Sequence, residues 1–112
     1  MSDCIFCEIG SDNSKADPIY KDDHCFVIQD INPIAPTHLL LIPTEHIEGF
    51  WDNQEKLLGH LLVVASKVAE QTGLTANGFR ITINQGKDGG QTIPHLHLHL
   101  MGGRELPWGA GF

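Results

Sequence analysis

The chain is short of positive charge. Its 112 residues carry seven Lys and Arg against fourteen Asp and Glu, a net charge of −7. A general nucleic-acid binder needs a basic surface to neutralise phosphates, so that class is excluded. Cysteine is scarce too: Cys4, Cys7 and Cys25 are an odd number and too few for a disulfide scaffold. No apolar run approaches the roughly 18 residues that span a bilayer, and the longest, residues 39–42 and 61–65, suit a core. Met1-Ser2-Asp3-Cys4 has neither the basic nor the apolar region of a secretory signal. A reducing, cytoplasmic setting without a membrane partner is therefore expected. Repeats, charge runs, low-complexity tracts and Pro/Gly/Ser-rich linkers are also missing, so residues 1–112 read as one domain.

What is present is apolar residue and histidine. Leu, Ile, Val and Phe make up 32 of the 112 residues, above the level of disordered chains. Residues 24–29 and 38–42 are rich in strand formers, the second block ending at Pro43. Pro33 and Pro36 between them mark a loop. Leu57, Leu58, Leu61, Leu62, Ala65, Val68 and Ala69 recur at helical spacing and predict a helix over about 53–72. Asp52 with Glu55 has the pattern of a capping box, and Gly73 is placed to stop the helix. Phe79, Ile81 and Ile83 alternate with polar residues, predicting a half-buried strand. A glycine-rich turn over 86–92 then leads into a strand over about 93–101. These elements imply an α+β fold with an antiparallel sheet.

Residues 95–101 read His-Leu-His-Leu-His-Leu-Met. On a strand, His95, His97 and His99 share one face, while Leu96, Leu98 and Leu100 pack inward on the helix. Such a row admits three uses: a solvated face, a metal site, or nucleophilic catalysis. Residues i and i+4 on a strand stand about 13 Å apart, so three in a row cannot share one ion with Zn–N near 2 Å. Catalysis suits the row better, with a central imidazole attacking an electrophile and its neighbours handling protons and charge. Gly86, Gly89 and Gly90 permit backbone N–H groups to converge on an anion, although an ordinary hairpin turn also fits them. The net charge excludes broad polyanion binding but not a single phosphate, because eleven of the fourteen acids fall in residues 1–56.

The run resembles the histidine triad motif, His-φ-His-φ-His-φ-φ, of the HIT superfamily. Residues 84–108, with Gly89-Gly90-Gln91-Thr92, Gly102-Gly103-Arg104 and Trp108, resemble the Hint branch of nucleoside phosphoramidate hydrolases. So do Cys4-Ile5-Phe6-Cys7, Asp30-Ile31, Ala35-Pro36-Thr37-His38 and Ile42-Pro43-Thr44-Glu45-His46-Ile47. The resemblance implies one long and one short helix, and a homodimer whose sheet continues across both protomers, with Trp108 approaching the partner's site. It implies His97 as nucleophile on the α-phosphorus of a purine nucleoside 5′-phosphoramidate, forming a nucleotidyl-histidine. His99 would contact the phosphate and scissile side, His95 would support the nucleophile, and His38 would orient the cluster. Thr92 stands where the family usually has serine, keeping the hydroxyl. Asn84, Gly90 and Gln91 fall at the phosphate side, Asp30 at the ribose, and Ile5, Phe6, Ile9 and Leu40 around the base. Retention of His99, where the nucleotidyl-transferase branch has glutamine, favours a hydrolase. A dinucleoside polyphosphate hydrolase with the same nucleophile is the rival enzyme. A nucleotide- or metal-binding interaction module is the rival of another class.

Cys4-x-x-Cys7 is half of a zinc site by spacing, or equally a redox pair or two core thiols. Some bacterial-type relatives complete such a site with positions matching His46 and His95. The resemblance thus implies a structural zinc on Cys4, Cys7, His46 and His95, while the chemistry needs no cofactor. Cys25 reads as core, and His24 and His60 as surface residues without a motif.

Overall fold

A computed structural model describes residues 4–11, 14, 16–49 and 54–107. A short helix α1 (Ile5–Ile9) precedes strands β1 (Tyr20–Lys21), β2 (Cys25–Gln29) and β3 (Thr37–Pro43). The long helix α2 (Glu55–Gln71) follows, then a 3-10 turn (Leu74–Ala76), β4 (Phe79–Ile83) and β5 (Leu98–Gly102). The five strands form one antiparallel sheet in the order β1-β2-β3-β5-β4. The expected α+β architecture with one long and one short helix is what the chain adopts.

Alternation along the central strands sorts their side chains between two cores. Leu39 and Leu41 of β3 join Leu96, Leu98 and Leu100 in a cluster closed by Leu61, Val64, Ala65, Val68 and Ala69 of α2. Leu40 and Ile42 point the other way, toward Phe6 of α1 and Phe26. The long helix therefore covers one sheet face, and the short helix covers part of the other, beside the histidines. Gly73 adopts φ 80°, a left-handed conformation that glycine adopts without strain, and ends α2 as its position predicts. Asp52 lies outside the described residues; Gln54 occupies the N-cap position instead.

Three expectations need correcting. The strand anticipated over 93–101 pairs only from Leu98. Pro94 offers no N–H, His95 N bonds back to Ile93 O, and Leu96 N donates to Ile47 O outside the sheet. Only His99 of the three histidines thus sits in a paired strand. The apolar face of α2 is rotated slightly from the anticipated one: Val64 is buried, whereas Leu62 is 50% exposed. Finally, β4 is an edge strand, which leaves Phe79 and Ile83 exposed while Ile81 packs on the core.

Leu100 is fully buried between its β3 and β4 neighbours, Leu39 and Ile81. Leu100→Ala should lower unfolding free energy by about 2–5 kcal/mol, read from denaturant midpoints. Leu62→Ala should cost less than about 1 kcal/mol. Equal losses would contradict this placement of the core.

Candidate active site

The register of β3 and β5 sets the site. Leu40 pairs with His99 and His38 with Met101, so His38 and His99 lie diagonally on one face. His38 Nδ1 accepts a hydrogen bond from Ile34 N at 3.1 Å. Neutral His38 must then carry its proton on Nε2, which lies 2.9 Å from His99 Nδ1 and 3.3 Å from Asp30 Oδ2. His38 donates, His99 Nδ1 accepts, and His99 is left with its proton on Nε2. Burial pushes His38 below the ordinary imidazole range against the pull of Asp30. Burial, then the neighbouring His97 and His38, pushes His99 down to about 4 despite Asp30. Both rings are neutral at neutral pH, as this chain of donors requires.

His97 is fixed from the other side. Its Nδ1 lies 2.8 Å from the carbonyl oxygen of His95, an acceptor only. Nδ1 therefore holds the proton, and Nε2 keeps the lone pair. His95 meets His97 through its backbone carbonyl, and its own imidazole turns away. That ring is fully buried, and its Nε2 donates to Pro43 O at 2.8 Å.

His95 Nδ1 then faces sulfur, 3.3 Å from Cys4 Sγ and 3.6 Å from Cys7 Sγ, while Cys7 Sγ is 3.3 Å from His46 Nδ1. All four donor atoms lie within 4.8 Å of one another. A tetrahedral zinc with Zn–S near 2.3 Å and Zn–N near 2.05 Å sets sulfur and nitrogen about 3.5 Å apart. The donor set fits zinc, and the bond from His95 Nε2 to the Pro43 carbonyl leaves Nδ1 as the nitrogen that would face the ion.

A cavity of about 400 Å³ opens in front of His97 and His99. It gathers most of the anticipated ligand contacts: the apolar Ile5, Phe6, Ile9 and Leu40, and Asp30, Asn84, Gly90 and Thr92. Gln91 is not among them. Its amide donates to Glu48 O and accepts from Gly86 N and Gln85 Nε2, so it straps the glycine loop to the segment after His46. The loop takes the turn form that its glycines equally allow. Gly90 N bonds to Lys87 O, Gln91 N to Gly86 O, and Gly86 N to Gln91 Oε1, which uses all three within the loop. A Cβ at Gly89 would collide with Gln85 O, so glycine is required there by close approach. Asn84 Nδ2 holds Gly89 O at 2.7 Å. Trp108 lies outside the described residues.

One pairing had no signal in the sequence. His60 of α2 sits 2.6 Å from Asp22 Oδ2 and is half-buried, whereas it reads as an unattached surface residue. Burial would lift the Asp22 carboxyl, but hydrogen bonds from His24 N, Tyr20 Oη, Cys25 N and His60 hold it well below its usual range. Cys25 is core, as expected, and burial followed by the Asp22 charge pushes its thiol up to about 12.

The sequence matches the HIT domain over residues 11–106. The chain belongs to the HIT family. An uncharacterized HIT-like protein of Synechococcus elongatus is 45% identical, with 97% of each chain covered. A HIT family hydrolase from Legionella pneumophila Philadelphia 1 superposes with TM-score 0.88 at 40% identity, covering 94% of this chain and 96% of that one. A zinc-bound histidine triad family protein from Mycobacterium smegmatis gives TM-score 0.80 at 34% identity, covering 95% and 81%. Among the described residues of this HIT protein, no helix is long and apolar enough to cross a membrane.

The depressed His99 sets a pH dependence. Unfolded, its imidazole takes up a proton near pH 6.5; folded, it resists until about pH 4. The unfolded state thus binds more protons in that window, and stability falls with pH by up to about 1.4 kcal/mol per unit. His38 and His95 shift in the same direction and add to the slope. In His99→Asn, denaturant unfolding from pH 6.5 to 4 should lose stability less steeply. An unchanged slope would refute the assignment.

Proposed function

We propose that this HIT protein hydrolyses the P–N bond of purine nucleoside 5′-phosphoramidates, releasing nucleoside monophosphate and amine. The observation that carries the reading is the locked tautomer of His97, whose unprotonated Nε2 belongs to a ring lining the cavity. Nε2 attacks the α-phosphorus, the P–N bond breaks, and the leaving nitrogen takes a proton from solvent to depart as the amine. The ring becomes a nucleotidyl-imidazolium, whose Nδ1–H stays bonded to the His95 carbonyl as positive charge develops. Water then attacks phosphorus, Nε2 leaves, and the water's protons pass to the products and solvent.

The other residues follow from position. His99, with its proton on Nε2, donates to the phosphate oxygens or the leaving amine, and the Thr92 hydroxyl offers a second donor in the cavity lining. Asp30 Oδ1 already accepts from Asn32 N, and Oδ2 faces His38, so it rigidifies the relay at the edge where a ribose would sit. The apolar wall of Ile5, Phe6, Ile9 and Leu40 suits a flat purine. Hydrolase chemistry is consistent with the Legionella relative. The exposed apolar residues of edge strand β4, Phe79 and Ile83, support a homodimer.

Turnover of an adenosine phosphoramidate beside a diadenosine polyphosphate tests the reading. The amide should be the better substrate, His97→Ala should lose about 10³-fold or more, and the active species should have the mass of two chains by light scattering. Full activity in the variant, or AMP binding without turnover in the wild type, would overturn it.

Cys4, Cys7, His46 and His95 would hold a structural zinc, as their spacing and the zinc-bound Mycobacterium relative support. When bound, the metal supplies a crosslink between α1, the segment after β3 and the histidine run. Metal analysis of purified protein should find about one zinc per chain, reduced in Cys4→Ser and Cys7→Ser. Protein that binds no zinc would sink the assignment.

A further inference from the structure

The zinc ligands and the nucleophile are joined by shared residues. His95 offers its ring to the cysteines and its carbonyl to His97 Nδ1. Phe6, between Cys4 and Cys7 in sequence, meets the rings of both His95 and His97 edge-on, with centroids 5.7 Å and 5.0 Å away. Anything that moves α1 or releases the His95 ring therefore acts on the nucleophile through two separate contacts.

The two cysteines are placed to do this. Cys4 is the N-cap of α1 and Cys7 its third residue, the spacing at which side chains face each other across the first turn. Both are partly exposed. Bridged by zinc, their sulfurs stand about 3.8 Å apart; joined as a disulfide, about 2.05 Å. The third thiol, Cys25, is fully buried in the other core cluster, away from the pair.

The geometry points to Cys4 and Cys7 as an oxidation site that switches the HIT centre off when a hydroperoxide converts the zinc-bound pair to a disulfide. One thiolate attacks the peroxide and becomes a sulfenic acid, and the alkoxide or hydroxide that leaves takes a proton from solvent. The second thiolate displaces hydroxide from that sulfur, which a proton takes up as water. The two thiolates lose two electrons, the peroxide O–O bond gains them, and His46 and His95 alone would be left to hold the zinc. Contraction of the pair drags α1 and Phe6, and the buried His95 ring loses its partners on one side. The carbonyl that holds His97 then shifts. His95 acts here as a positioning residue. The loss of activity rests on the hydrolase reading above; the thiol, zinc and tautomer changes do not.

The test treats reduced, zinc-loaded protein with hydrogen peroxide and follows four readouts. Thiols counted after denaturation should fall from three to one, and a chromogenic chelator should detect one zinc released per disulfide. Turnover should drop by about 10²-fold, the scale of an ångström-level misplacement. The ¹⁵N spectrum should show His97 passing from a fixed Nδ1–H form to exchanging tautomers. Dithiothreitol with added zinc should reverse all four, and Cys25→Ala should respond like the wild type. A disulfide that forms while turnover and the His97 signal stay unchanged would overturn the proposal. So would oxidation without a disulfide, or a Cys25→Ala variant that no longer responds. If reduced protein shows no turnover at all, the hydrolase reading fails, and the His97 signal alone decides whether the switch exists.

Discussion

The hydrogen bond from His97 Nδ1 to the His95 carbonyl decides which nitrogen of the central imidazole can act, and the surrounding structure serves to hold that bond in place. A carbonyl oxygen only accepts, so the proton is pinned and the lone pair of Nε2 is set. The carbonyl is itself immobilised. Leu96 N is tied to Ile47 O, the Leu96 side chain is buried in the main core, and the His95 ring is held between Pro43 O on one side and the Cys4 and Cys7 sulfurs on the other. A second relay, from Ile34 N through His38 to His99, fixes the neighbouring imidazole by the same logic. Two backbone groups thus specify the protonation pattern of three side chains.

Breaking the histidine run out of the sheet is what makes this possible. In a regular strand, His95 O would point to a neighbouring strand and could not face the ring of His97. Pro94 and the tie from Leu96 to Ile47 end the ladder at Leu98 and free the carbonyl for a side-chain role. The row then divides between tasks: His95 faces the cysteines, His97 the cavity, and His99 the relay with His38.

Much of this was legible in the sequence because its signals are local. The 3.6-residue pattern of α2, the strand-forming block at residues 38–42 and the left-handed stop at Gly73 each rest on neighbours in the chain, and each matches the structure to within a residue or two. The triad motif and its flanking segments identified the family. What depended on distant contacts was harder to read. The His60–Asp22 pair joins residues 38 apart. The withdrawal of Gln91 from the cavity follows from a carbonyl 43 residues away. The exposure of Ile83 follows from β4 lying at the sheet edge, which no alternation pattern reveals.

The central claim is that His97 Nε2 forms a covalent bond to phosphorus. Rapid acid- or denaturant-quench of a reaction with an adenosine phosphoramidate, followed by peptide mapping under conditions that preserve phosphoramidate bonds, tests it most directly. The account predicts an adenylyl adduct on His97 that appears within the first turnover and decays as AMP accumulates. An adduct confined to His95 or His99, or turnover that proceeds with no adduct under conditions that preserve a synthetic standard, would contradict it.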